Sequence, residues 1–126
     1  AARSSGQQEL YNLSIDILEK TTLITDLEEE AIDGIGLCHG TSGIAQIYNR
    51  LYWETKNEIF RKSADYWIEM THKLYHEGKY TLSTPTAMGE SKHELELLDG
   101  LSGVGMVLIS DLSNGASPWD SCLLLS

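Results

Sequence analysis

GLCHGTSGIAQI, residues 36–47, is the stretch whose reading decides the fold, because it has an echo 60 residues later in DGLSGVGMVLIS, residues 99–110. Each copy places a glycine–hydroxyl–glycine turn, Gly40-Thr41-Ser42-Gly43 or Gly100-Leu101-Ser102-Gly103, directly before an apolar helical segment. Glycine at such a turn lets the backbone approach a neighbour closely or take positive φ. More polar segments alternate with these apolar ones, a pattern that suits stacked α-hairpins in which exposed and buried helices take turns. The first copy also sets Cys38 beside His39, one soft thiolate and one imidazole at the mouth of a turn. Such a pair can serve one metal ion, or can simply be buried in a core.

Working outward, apolar residues recur at helical spacing. Leu10, Leu13 and Ile17, widened by Tyr11, Ile15 and Leu18, predict a helix over Glu9–Lys20. Ile44, Ile47, Tyr48, Leu51 and Tyr52 predict one over Gly43–Thr55. Phe60, Ala64, Trp67, Thr71 and Leu74, flanked by Ile68 and Tyr75, form a continuous face over Asn57–Glu77, with Asn57 to cap it and Gly78 to stop it. Leu101–Asp111 is apolar nearly all round, so it needs cover on every side. Thr25 or Asp26 can cap a short helix in TDLEEEAI, and KYTLSTPTAMGESKH reads as a loop. No segment alternates as a strand does, so the fold class is all-α.

The chain has 126 residues, enough for one core and too few for two ordinary domains. Nine Lys plus Arg against 19 Asp plus Glu give a formal charge of −10, which argues against a phosphate-backbone ligand. No run of about 18 apolar residues is present to span a membrane, and the first 20 residues lack the apolar block of a signal peptide. Two cysteines, Cys38 and Cys122, are not a disulfide framework, and reduced thiols in a cytoplasmic setting are the simpler expectation. GLSGVG has no strand before it and is set aside as a nucleotide loop.

GLCHGTSG, LLDGLSGVG and the ending WDSCLLLS together resemble the closing part of the lanthionine synthetase C-like proteins, the family of the lantibiotic cyclases. The resemblance covers nearly the whole chain, with its elements in matching order. It implies the C-terminal portion of an α/α toroid, with residues 1–126 as a single partial domain. Gly43–Thr55 and Leu101–Ser113 would be inner helices and Asn57–Glu77 an outer one. The resemblance also implies zinc held by two Cys and one His, with a position open for a substrate thiol; Cys38 and His39 match the adjacent Cys-His pair of that site. A thiolate so held adds to dehydroalanine or dehydrobutyrine, closing a thioether ring, and the resulting enolate takes a proton from an acid.

The chain departs from the family pattern in having no cysteine before Cys38, where the other zinc cysteine belongs. The catalytic acid is likewise expected upstream. The implied partners are a dehydrated lantibiotic precursor peptide and the dehydratase that prepares it. The alternative is a relative that binds thiols such as glutathione at the same zinc without forming rings. The isolated chain is expected to be free of zinc, inactive and prone to self-association.

Other titratable residues carry blander readings. His72 and His76, at i and i+4 with Glu69 nearby, have chelating spacing but sit at the edge of an apolar face and are expected to be solvated. His93 is expected in a loop, Cys122 in packing, and Asp99 in a cap or turn. Trp53, Trp67 and Trp119 are expected in the core or between helix layers.

Overall fold

The computed structural model describes residues 8–27, 32, 34–78, 95–115 and 118–123. Four α-helices are present: α1 (Gln8–Thr21), α2 (Thr41–Thr55), α3 (Glu58–Glu77) and α4 (Leu101–Leu112), followed by a 3-10 helix at Trp119–Leu123. No strand occurs among the described residues. The helices match the expected ones to within two residues at each end. The largest offset is at the start of α2, because Gly43 lies inside the first helical turn and Gly40 is the N-cap. The short helix expected in TDLEEEAI, with Thr25 or Asp26 as its cap, falls largely on residues 28–31, outside the described residues; so does the whole of the expected 79–93 loop.

The centre of the fold is a hairpin of α2 and α3. Lys56 takes the left-handed conformation (φ 57°) and returns its N–H to Tyr52 O at 2.7 Å, while Asn57 accepts from Ile59 N at 3.1 Å to start α3. With only two residues between them, the helices run antiparallel. Tyr48 stacks on Phe60 near the turn, and the Thr41 and Thr71 hydroxyls meet at 2.6 Å at the far end. The expected α3 face is the one buried: Phe60, Ala64, Trp67 and Thr71. Together with Ala45, Tyr48, Leu37 and Val107 they make the core. Trp67 is buried in it, and Trp119 packs against it.

The apolar sides of α1 and α4 are only partly covered. Leu10, Leu13 and Ile17 of α1 remain about half exposed, and α1 has no buried residue; Ile15 and Leu18 are the ones that reach the core. The helix lies along the rim of the hairpin, tied there by Thr21–Tyr48 (2.9 Å) and by Asn57 Nδ2 donating to Glu19 Oε1 (2.6 Å), so only part of its stripe finds a neighbour. Nor is α4 covered all round. Gly103, Val104, Val107 and Ser110 are buried, whereas Ile109 and Leu112 are 60% and 83% exposed.

The tail is anchored by charge. Asp120 is fully buried and accepts from Gln46 Nε2 (2.5 Å) and from Arg50, which grips both carboxylate oxygens. Burial alone would raise its pKa, but the hydrogen bonds from Arg50 and Gln46 and the Arg50 charge outweigh that, so the carboxyl lies below its ordinary value. On the other side of the hairpin Arg61 bridges Asp111 of α4 (2.8 Å) and Asp65 of α3.

Candidate metal centre

The two glycine turns form the same local structure. Gly40 (φ −122°, ψ −179°) and Gly100 (φ −109°, ψ −179°) are extended N-caps with no side-chain cap bond. Three residues into each helix, a Cβ on Gly43 would lie 2.0 Å from Leu37 O, and one on Gly103 would lie 1.9 Å from Leu97 O. Both helices therefore carry glycine where the approaching strand of chain presses its carbonyl against the first turn. The turns are also neighbours in space. Cys38 N–H donates to Leu98 O at 2.9 Å, and a Cβ on Gly36 would stand 3.3 Å from Leu98 O and 3.4 Å from Asp99 Cα.

This contact gathers three donor groups on the surface. Cys38 is an exposed free thiol whose Sγ lies 3.9 Å from His39 Nε2. On the other edge of the imidazole, Nδ1 lies 3.8 Å from Asp99 Oδ1. One ligand atom from each of the three residues falls within 4.8 Å of the others. Zinc bonds of about 2.3 Å to sulfur and 2.05 Å to nitrogen, at a tetrahedral angle, put the two atoms roughly 3.6 Å apart. The Cys38–His39 separation is a few tenths of an ångström from that value, and a thiolate with an imidazole is a donor set suited to zinc. The residues present fit such an ion.

Of the residues singled out in the sequence, the structure sets Cys38, His39 and Asp99 side by side; Asp99 lies in the turn before α4, whose N-cap is Gly100. The sequence offered one signal for it: Asp99 precedes Gly100 as His39 precedes Gly40, 60 residues apart. His72 and His76 stay on the exposed side of α3, their Nε2 atoms 3.0 Å apart. His93 and the Cys122 side chain lie outside the described residues. Asp120 was legible only as part of the WDSCLLLS ending, with nothing to show that it would be a buried anion.

A family model described as lanthionine synthetase C-like protein matches residues 3–124. The chain belongs to that family. The all-helical arrangement is accordingly that of a portion of the lanthionine synthetase C-like α/α toroid. Comparison with curated proteins and with solved structures found no match. Among the described residues no helix is long and apolar enough to cross a membrane.

Proposed function

We propose that this lanthionine synthetase C-like chain is the C-terminal part of a zinc-dependent lanthionine cyclase, residues 1–126 forming one portion of a single toroid. The observation that carries the reading is the exposed Cys38–His39 pair at the mouth of α2, with sulfur and Nε2 at a separation suited to one zinc ion. Cys38 supplies a thiolate ligand and His39 an imidazole ligand. Zinc bound there would supply the positive charge that keeps an incoming cysteine thiol ionised at neutral pH.

The overall reaction adds a peptide S–H across the C=C bond of dehydroalanine or dehydrobutyrine. A C–S bond forms at Cβ, and the proton is delivered to Cα. The acid that delivers it is assigned to the protein upstream of these residues, as is the second zinc cysteine. In this chain the work is binding and exposure. The backbone bond from Cys38 N–H to Leu98 O holds the turn, and the open face around His39, three-quarters exposed, leaves room for a peptide. The substrate is then a dehydrated precursor peptide, the partner is its dehydratase, and the setting is cytoplasmic.

The test uses the full-length protein with a dehydrated precursor peptide. Cys38→Ala and His39→Ala should each lower zinc content and abolish ring formation, read as lost protection of peptide cysteines from alkylation in mass spectrometry. Full zinc and full ring formation in either variant would defeat the assignment. Tight glutathione binding with no ring formation by the unaltered protein would point to the non-cyclising thiol-binding relative.

A further inference from the structure

We propose that Asp99 is the positioning residue of the metal centre: its carboxylate fixes the orientation and tautomer of His39 so that Nε2 is the metal-binding nitrogen. The proposal rests on the zinc reading of Cys38 and His39 and extends it to the second glycine turn.

The placement begins with the repeat. Because the two turns share one backbone form 60 residues apart, Asp99 occupies in the second the position that His39 occupies in the first. The turns are locked edge to edge by the Cys38–Leu98 backbone bond and by the approach that a side chain at position 36 would obstruct. The Asp99 backbone is therefore held beside the Cys38–His39 turn whatever its side chain does. The imidazole then divides its two nitrogens between two partners. Nε2 faces the Cys38 sulfur at 3.9 Å, and Nδ1 faces the Asp99 carboxylate at 3.8 Å.

The ordinary structural roles for this carboxylate do not apply. It makes no cap bond to α4, whose N-cap is Gly100. As a plain ion pair it would contribute little, because His39 and Asp99 are 75% and 50% exposed and solvent screens them. What the arrangement does offer is the outer partner that metal-bound histidines usually have. A carboxylate accepting from Nδ1–H leaves the Nε2 lone pair for the ion and holds the ring in plane with it. The 3.8 Å separation exceeds hydrogen-bond distance by about 1 Å, and both side chains are exposed enough to move.

The experiment compares the full-length protein with its Asp99→Ala, Asp99→Asn, Cys38→Ala and His39→Ala variants. Zinc affinity is read by chelator competition and ligand identity by the visible spectrum of the cobalt-substituted protein. Asp99→Ala should bind zinc about 10–100-fold more weakly, the range for loss of an outer-shell partner, with the sulfur-to-cobalt and ligand-field bands unchanged in position and intensity. Asp99→Asn, whose amide oxygen still accepts from Nδ1–H, should recover part of that loss. Both should keep unaltered helical circular dichroism, as an exposed site predicts. Unchanged affinity in Asp99→Ala overturns the proposal. So does a change in the ligand-field bands, which would make Asp99 a direct ligand. If Cys38→Ala and His39→Ala also leave metal binding unchanged, the zinc reading itself falls and the Asp99 role falls with it; if they abolish binding while Asp99→Ala does nothing, only the Asp99 role falls.

Discussion

The turns before α2 and α4 are built alike and equipped differently. Both have an extended glycine cap, both have a glycine three residues later against a carbonyl, and both lead into a helix with a buried face. Yet the first presents Cys38 and His39 where the second presents Leu98 and Asp99. Backbone geometry and chemistry are thus separable in this fold. Glycines specify how the chain enters each helix, and the residues just ahead of the cap are left to vary. The first turn carries a thiol and an imidazole, and the second carries a nearby carboxylate and the carbonyl that accepts from Cys38 N–H.

If the turns are equivalent, damage to either should be similar and severe. Gly43→Ala and Gly103→Ala each place a methyl group about 2 Å from a backbone oxygen that cannot rotate away, and each should destabilise the protein by about 3 kcal/mol or more in denaturant unfolding. A large loss in one variant and a negligible loss in the other would break the comparison.

A difference between the helices themselves gives the next effect. α2 carries an ion pair to the fully buried Asp120 of the tail, whereas the ion pair of α4, Asp111–Arg61, runs to α3 and is only partly buried. Arg50→Ala leaves the Asp120 carboxylate buried without its main partner and should cost about 3 kcal/mol, more than Asp65→Ala at the solvent-facing end of the Arg61 bridge. The same pair sets an acid limit. The Asp120 pKa is lower in the folded chain than in the unfolded one, so as pH falls the unfolded chain takes up the proton first. The stabilisation is fully present above the ordinary carboxylate range and is lost as pH falls below about 4. Thermal melts of the protein and Asp120→Asn should therefore converge at low pH, and a constant gap between them down to pH 2 would contradict the assignment.

The smallest effect sharpens the contrast within α4. Gly105 is helical, and a Cβ there meets nothing within 4 Å. Gly105→Ala should stabilise the protein by about 0.5–1 kcal/mol, two residues from a position where the same change is ruinous.

These contrasts also show what the sequence could reveal. Helix positions were legible because apolar spacing reports the face that packs, and α3 buries Phe60, Ala64, Trp67 and Thr71 of the expected face while Leu74 is half-buried and Tyr75 exposed. The repeat was legible because close backbone approach admits only glycine at Gly43 and Gly103. Coverage was not: the spacing of Leu10, Leu13 and Ile17 announces an apolar side without saying whether a neighbour reaches it. Cys38 and His39 were legible as a pair through their adjacency and the family motif. Asp99 lies in a turn, as its place before Gly100 implied, but its nearness to His39 comes from a loop-to-loop contact across 60 residues that no local pattern reports. Asp120 gave no warning because a lone acidic residue in an apolar tail looks the same whether it ends exposed or sealed against an arginine.

The rim position of α1 has a consequence for the order in which the fold opens. Its attachments among the described residues include the Thr21 and Glu19 polar ties and the partly buried Ile15 and Leu18, whereas α2 is bonded to α1, α3 and the tail and adjoins the second turn. Local opening follows the weakest attachment. Backbone amides of α1 should exchange with deuterated solvent well before those of α2, through excursions that leave the hairpin intact. The Cys38–His39 turn, seated at the start of the slowest-exchanging helix, would then keep its shape while the rim breathes.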